Sequence, residues 1–177
     1  MLLAEAVHSE FQRCCTDKLD HYVSRIESCL GRLTDAQVWT RGSEQENAIG
    51  NIVLHLCGNV RQWIIAGVGD APDARDRDAE FDARGGVPIP ELIAKLRGTV
   101  DEAIRVIQLV PPERLLVRLQ IQKYDVTVMQ AIFHVVEHFS GHTGQIIFMT
   151  KMLTHEDLGF YKHLRGGSRL DPSGRRV

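Results

Sequence analysis

Apolar side chains recur at intervals of three and four residues along much of the chain, the spacing that places them on one face of a helix. The first such segment extends from about Leu2 to Leu33, and the second from Asn47 or Ala48 to Gly67 or Gly69. The stretch between them is polar and turn-forming, with Trp39 as the expected anchor against the helices. The pattern therefore predicts two long helices in the first part of the chain.

The second part of the chain predicts two more long helices. Pro90 suits the first turn of helix three, which ends before the Pro111–Pro112 pair. Residues 115–127, LLVRLQIQKYDVT, alternate between apolar and polar side chains and favour a short strand or hairpin. Helix four extends from Val128 to about Leu153, after a predicted capping box of Thr127 and Gln130. It is apolar on nearly all sides, so we expect its neighbours or a second subunit of a homodimer to bury it.

A charged connection separates helix two from helix three. Residues 70–90 are rich in charge, Gly and Pro, and the charge run from Asp70 to Arg84 predicts a solvated surface loop. A connection of this length lets successive helices avoid simple antiparallel packing. We therefore predict an all-α four-helix bundle with a long crossover connection between helices two and three. A single domain is expected over residues 1–177, with a C-terminal extension from about residue 155.

Composition and charge restrict the class of function. The 177 residues suffice for one domain with a core, and a net charge of −2 argues against a nucleic-acid partner. No apolar run is long enough to span a bilayer, and MLLAEAVHSEF lacks the features of a signal peptide. The four cysteines form no CxxC pair, which suits a reducing compartment and excludes a zinc finger. We expect a cytoplasmic protein with neither a membrane nor a nucleic-acid partner.

Three histidines recur every four residues in helix four, within HVVEHFSGHTGQ. His134, His138 and His142 share an arc of about 80° on a helix that turns about 100° per residue. Two imidazoles four residues apart can bind one ion, but the outer two of this stripe are about 12 Å apart. A further ligand must therefore come from another helix, and one of these histidines has another role.

Helix two offers that ligand. His55 lies among Ile, Val and Leu in NIVLHLCGN, a poor environment for an imidazole without a partner. It shares an arc of about 80° with three polar residues, Asn51, Asn59 and Gln62. Polar stripes on two apolar helices indicate that the stripes face each other. We favour His55, His138 and His142 as metal ligands. Spacing alone leaves the pair His134 and His138 open.

These motifs resemble the DinB-like (YfiT-like) superfamily of metal-binding four-helix bundles. The matching features are the histidine in NIVLHLCGNVRQW of helix two and HxxxHxGQ in helix four, here HFSGHTGQ. The resemblance covers most of the chain and implies a metal triad of His55, His138 and His142. The ending DLGFYKHL is similar to one branch of the superfamily that has no assigned activity. Many members have Arg where this chain has Thr143, so any role of that Arg is not carried over.

A rival motif overlaps the histidine stripe. HVVEH has the HxxEH form of the inverted zincins, in which His134 and His138 would bind zinc and Glu137 would be the base. Those proteases take a third, acidic ligand from a helix well downstream. Only 39 residues follow His138, and Glu156 is the one glutamate among them. This motif also leaves His55 without a role, so we do not favour it.

Further side chains near the stripe are secondary candidates. His134, Asn59 and Gln145 are candidates to orient the ligands or bound solvent. For catalysis, Glu137 and Gln145 are candidates, although a solvated or salt-bridged carboxylate is the favoured role for Glu137. Trp63 is expected to serve packing rather than substrate recognition.

An all-histidine triad points to catalysis, because three neutral ligands leave an open position on a divalent ion. Zn or Ni is the preferred ion, with Fe as a third option. The resemblance implies thiol-dependent transferases, isomerases or hydrolases. We therefore favour a metal-dependent enzyme acting on small molecules, of thiol transferase or hydrolase type, with a low-molecular-weight thiol as candidate partner. The alternatives are a non-catalytic metal-binding or stress-related dimeric bundle and an interaction module built on helix four.

Overall fold

Four long helices form the bundle in a computed structural model that describes residues 3–164. Helix α1 spans Leu3–Leu30, α3 begins at Ile49, α5 spans Ile89–Leu109 and α6 spans Val128–Thr154. α1 and α3 each pack against both α5 and α6, and their apolar faces meet in one core. The all-α four-helix bundle is thereby confirmed. Among the described residues, no helix is both long and apolar enough to cross a membrane.

A short helix connects α1 to α3. This helix, α2, spans Asp35–Val38 within the stretch that the sequence predicted only as polar and turn-forming, and Thr34 caps it. The expected role of Trp39 as an anchor is confirmed, because its indole Nε1 donates to the Val87 carbonyl at 3.0 Å. Gly50 makes room for this ring, since a Cβ there would lie 2.8 Å from the indole. The start of α3 therefore packs directly on Trp39.

The last two turns of α3 are π-helical, which the sequence did not predict. α3 has α-helical geometry over Ile49–Val60 and π-helical geometry over Arg61–Val68. Gly69 N donates to Ile64 O at 2.8 Å, the five-residue spacing of a π turn. Gly67 permits close packing of the hairpin, because a Cβ at this position would lie 2.5 Å from Ile121 Cδ1. The hairpin is thus held against the π-helical segment.

The crossover returns along α3, so that α5 runs parallel to α3 rather than antiparallel to it. Val87 lies against Trp39 near the start of α3, while a Cβ at Gly69 near its end would lie 3.1 Å from Val106 of α5. The two ends of α3 are therefore beside the corresponding ends of α5. The long crossover between helices two and three makes this arrangement possible, as its length predicted.

The prediction of a solvated surface segment holds for most of the charge run, whose side chains are exposed, but it is wrong for Arg75 and Glu80. Helix α4 spans Arg77–Asp82 inside the run, and Glu80 is only 8% exposed. The Arg75 side chain is only 3% exposed and pairs with the Glu80 carboxylate. Asn51 fastens the segment to α3, because its Nδ2 donates to the carbonyls of Glu80 and Ala83 at 2.9 Å each. Mutual neutralisation is what allows these charges to be buried.

The predicted hairpin and capping box before helix four are confirmed. Strand β1 spans Arg118–Ile121 and pairs antiparallel with β2, Tyr124–Thr127. Thr127 Oγ1 accepts from Gln130 N at 3.1 Å, and Thr127 N donates to Gln130 Oε1 at 2.8 Å. These reciprocal bonds fix the point at which α6 begins.

The described part of the predicted C-terminal extension folds back onto α1. His155 ends α6 in the left-handed conformation, with φ of 56°. Leu158 is 5% exposed, and the Arg25 guanidinium lies 5.0 Å from the ring centres of Phe160 and Tyr161. Residues 165–177 of the predicted extension lie outside the described residues, and the boundaries of the single domain stay a prediction.

Candidate metal centre

Three imidazoles from two helices meet inside the bundle. α3 contributes His55 and α6 contributes His138 and His142, and one ring nitrogen from each lies within 4.8 Å of the other two. The Nε2 atoms of His55 and His138 are 3.0 Å apart. A tetrahedral ion with metal–nitrogen distances of about 2.0–2.1 Å needs its ligand nitrogens about 3.3 Å apart. Small side-chain movements would satisfy this distance, so the three histidines fit a metal ion.

The same nitrogens are poor sites for protons. Burial, reinforced by the neighbouring imidazoles of His142 and His55, lowers the pKa of His138 to about 3. Burial also lowers the pKa of His142, although a hydrogen bond with Gln145 opposes that effect. These two rings are therefore neutral near pH 7, the protonation state that a metal ligand requires.

Glu80 and Arg75 contact the far side of His55. His55 Nδ1 lies 3.1 Å from Glu80 Oε2 and 3.1 Å from Arg75 Nη2. If Nε2 binds a metal, the proton is on Nδ1, and Nδ1–H then donates to Glu80. Arg75 donates a hydrogen bond to each oxygen of the Glu80 carboxylate, from Nε to Oε1 and from Nη2 to Oε2, both at 2.7 Å. The result is the carboxylate–histidine arrangement that orients ligands at metal sites.

The charge state of Glu80 follows from these contacts. Burial acts to raise the pKa of its carboxyl group, but the hydrogen bonds with Arg75 and His55 outweigh burial and lower the pKa below its usual value. Glu80 is thus an ionised carboxylate, which can accept a hydrogen bond from His55 Nδ1–H. Neither Glu80 nor Arg75 was predicted from the sequence, in which the one signal for them is that a buried His55 requires a polar partner.

Gln145 lies where the sequence placed an orienting residue. Its Oε1 accepts from His142 Nδ1 at 2.7 Å, which leaves Nε2 of that ring for a metal. Asn59 is 4% exposed and lines the cavity beside His55 and His138. Its Oδ1 atom has no hydrogen-bond partner among residues 3–164. An orienting role for either residue stays a prediction.

His134 lies outside the histidine cluster. Its ring contacts Trp63 with centroids 4.1 Å apart and planes tilted by 39°, and it stacks on the ring of His138 at 5.5 Å. Of the two pairs that spacing left open, His138 and His142 are thus the pair that meets His55. The two polar stripes were expected to face each other. His55 does face His138 and His142 of α6, but Asn51 binds the crossover instead of α6.

Within residues 3–164, no acidic side chain joins His134 and His138 as the third ligand that the rival protease motif requires. Glu156 forms an ion pair with Arg32 at 2.8 Å and is not part of the histidine cluster. Glu137 is exposed and lines the cavities on both sides of His138. Its negative charge acts to raise the pKa of His134, although burial of that ring dominates and lowers the pKa.

Cavities on several sides give access to the centre, including one of about 360 Å³ that is lined by His55, His142 and Phe148. Another of about 540 Å³ opens beside His55 and His138, between α3, the crossover, the hairpin and α6. A third of about 340 Å³ lies along α6 from His134 to Gln145. Small-molecule sites have volumes of about 300–1,000 Å³. The centre is therefore open to a ligand of that size.

Solved structures share this architecture. A conserved protein from Enterococcus faecalis superposes with a TM-score of 0.68 at 16% identity, covering 81% of this chain and 97% of that one. A DinB-like protein from Bacillus subtilis gives 0.64 at 12% identity, covering 83% and 96%. A DinB-like protein from Bacillus cereus gives 0.60 at 13% identity, covering 75% and 85%. The DinB-like fold implied by the histidine motifs is confirmed.

Sequence comparison gives the family rather than an activity. No curated protein matches the chain. The family model described as "Protein of unknown function (DUF1572)" matches residues 6–165, nearly the whole of the chain. The chain therefore belongs to the DUF1572 family and has the DinB-like four-helix bundle fold.

Proposed function

We propose that this protein is a metal-dependent enzyme that acts on small molecules, of thiol transferase or hydrolase type. His55, His138 and His142 would hold one divalent cation, Zn or Ni in preference to Fe. The observation that carries the proposal is the meeting of three ring nitrogens within 4.8 Å of one another, beside a cavity of about 540 Å³.

The chain's own residues prepare this site for chemistry. Three neutral ligands leave the full charge of the cation and at least one coordination position free for substrate. A cation held there would supply a Lewis acid for a carbonyl, a water or a thiol. Glu80 holds His55 in the metal-binding tautomer, and Gln145 does the same for His142. Glu137 is the carboxylate that could accept a proton from a substrate in the cavity.

An external thiol suits the site better than a cysteine of the chain. Cys57 is buried beside a different cavity, and burial raises the pKa of its thiol to about 12. Burial also raises the pKa values of Cys15 and Cys29. Cys14 is exposed on α1, and its hydrogen bond to Glu10 raises its pKa. A thiolate that reacts here would therefore come from a low-molecular-weight thiol, and the four free cysteines support a reducing cytoplasm.

Elemental analysis of matched variants tests the metal site. We expect about one equivalent of metal in the purified wild-type protein and in His134→Ala, and no stoichiometric metal in His138→Ala. Retention of metal by His138→Ala would exclude the proposed site. The metal-loaded wild type is then screened for thiol conjugation and for hydrolysis of small esters and amides. Metal without turnover in either screen would favour a non-catalytic bundle.

A homodimer is the second part of the proposal, and it accompanies either function. The side chains of Phe148 and Met152 on α6 are 64% and 60% exposed. Among the described residues, nothing lies within 4 Å of a Cβ built at Gly141 or Gly144, so this part of the chain leaves that face of α6 open. An open apolar face of this kind favours contact with a second copy of the chain, as the apolar character of helix four predicted.

A further inference from the structure

We propose that the cavity of about 540 Å³ binds a flat aromatic small molecule, whose polar head reaches the metal. This inference rests on the proposed function, because the head group needs the cation held by His55, His138 and His142. It assigns to the site a substrate class that neither the fold nor the family gives.

The wall of the cavity is aromatic on two sides. Trp63 is 4% exposed and forms the inner surface, with the ring of Tyr124 6.0 Å away between centroids. Phe133 faces the same space from α6. Tyr124 and Phe133 are 58% and 59% exposed, so neither ring is needed to fill the core. A planar ring that lies against either of these exposed rings would gain offset-stacked or edge-to-face contacts.

Two buried polar atoms in the wall have no partner among the residues that the structure describes. They are Trp63 Nε1, a donor, and Asn59 Oδ1, an acceptor. Buried polar groups nearly always form hydrogen bonds, and leaving one unmade costs about 1–3 kcal/mol. Both atoms are shielded from solvent, so a ligand in the cavity reaches them only if the side chains around them move. These two atoms therefore set no further polar requirement for the ligand, whose polar group is the head that would reach the metal.

The charged side chains that line the cavity balance one another, so the metal would determine which head group of the ligand binds. Glu80 neutralises Arg75. Arg77 lies over the face of Phe81 at 4.8 Å and has no carboxylate partner within residues 3–164. Glu137 also lines the cavity and carries the charge opposite to that of Arg77. With the wall balanced in this way, the divalent cation attracts an anionic or chelating oxygen or sulfur head.

Two chelating probes with one head group test the inference. Benzohydroxamate and acetohydroxamate are titrated calorimetrically into the zinc-loaded protein. Both probes carry the same chelating hydroxamate group. Benzohydroxamate has a phenyl ring where acetohydroxamate has a methyl group. We expect benzohydroxamate to bind about tenfold more tightly or better, because the ring removes more apolar surface from water. In Tyr124→Ala and Phe133→Ala the ratio of benzohydroxamate affinity to acetohydroxamate affinity should fall towards one, while the affinity for acetohydroxamate stays unchanged.

The control variant is Phe148→Ala, which removes an exposed ring from α6 that lines a different cavity beside His142. It should leave the ratio unchanged. Equal affinities of the two probes for the wild type would overturn the aromatic ligand and leave the metal site standing. Dependence of the ratio on Phe148 rather than Phe133 would also overturn it. Failure of the protein to take up zinc, or of both probes to bind, would reject the proposed function instead.

Discussion

Glu80 determines the orientation of His55 through one hydrogen bond and a buried ion pair. Its Oε2 lies 3.1 Å from His55 Nδ1, and Arg75 holds both of its oxygens at 2.7 Å. A carboxylate that accepts from His55 Nδ1–H leaves the Nε2 lone pair free for a metal, and Glu80 also neutralises the buried guanidinium of Arg75. The residue is therefore expected to affect metal affinity and stability together.

Glu80→Gln tests this role with little change of shape. Loss of the negative charge should lower metal affinity by about 10–100-fold, the usual effect of removing a carboxylate behind a histidine ligand. It should also lower the free energy of unfolding, because Arg75 is left buried without its counter-charge. Competition with a chromogenic chelator measures the affinity, and urea denaturation measures the stability. Glu113→Gln, at an exposed site, is the control and should change neither; unchanged metal affinity in folded Glu80→Gln would refute the orienting role.

The lowered pKa of His138 makes the metal-free protein sensitive to mild acid. The folded state keeps this ring neutral down to about pH 3, whereas in the unfolded chain it takes up a proton near pH 6.5. The unfolded state then binds more protons, so stability falls as the pH drops below about 6.5, by up to about 1.4 kcal/mol per pH unit for one histidine. Urea denaturation of the chelated protein at pH 7 and pH 5 measures the loss. His138→Gln should show a smaller loss, and an equal loss in both proteins would contradict the assignment.

At the level of elements, the close approach of α3 to the crossover depends on Gly58. A Cβ at this position would collide with Glu80 Oε1 and lie 2.9 Å from Arg75 Nε. Glycine thus clears the space in which the ion pair lies against the helix. A glycine inside a helix lowers the free energy of unfolding by about 0.5–1 kcal/mol relative to alanine.

Gly58→Ala and Gly98→Ala form a matched pair. Gly58→Ala should displace the ion pair, weaken metal binding and increase amide hydrogen exchange in residues 75–83. No atom of residues 3–164 lies within 4 Å of a Cβ at Gly98 in α5, so Gly98→Ala should stabilise the protein by roughly 0.5–1 kcal/mol. Hydrogen exchange read by mass spectrometry and thermal denaturation distinguish the two. Equal stabilisation by both substitutions would show that α3 and the crossover are not packed this closely.

The helices and the crossover around the histidine cluster differ in how far the sequence predicts their residues. The stripe of His138 and His142 follows from helical periodicity, and the apolar surroundings of His55 identified it as needing a partner. Glu80 and Arg75 had no such signal, because a run of alternating charge has the composition of a solvated loop. Their burial depends on Gly58 and Asn51 of α3, which are distant in sequence. The π-helical turns depend likewise on packing against the hairpin, which local sequence does not encode.

At the scale of the whole molecule, the bundle buries one side of α6 and leaves another open. Phe139 and Ile146 of α6 are fully buried in the core, against α1 and α3. Phe148 and Met152 are more than half exposed on the same helix. The sequence showed that α6 is apolar nearly all round, but it could not say which part of that surface one chain buries.

A homodimer that covers this face can be tested by mass in solution. We expect sedimentation equilibrium to give twice the mass of the 19.9 kDa chain for the wild type. Met152→Asp should shift the equilibrium towards the monomer, because a carboxylate buried at an apolar interface has no partner. Leu109→Asp, at an 81% exposed apolar residue at the end of α5, is the control and should remain dimeric. Both variants should retain metal, since neither residue lies near the histidine cluster in the arrangement of the described residues. A monomeric wild type at micromolar concentration would exclude the dimer, and dissociation by Leu109→Asp rather than Met152→Asp would place the interface on α5.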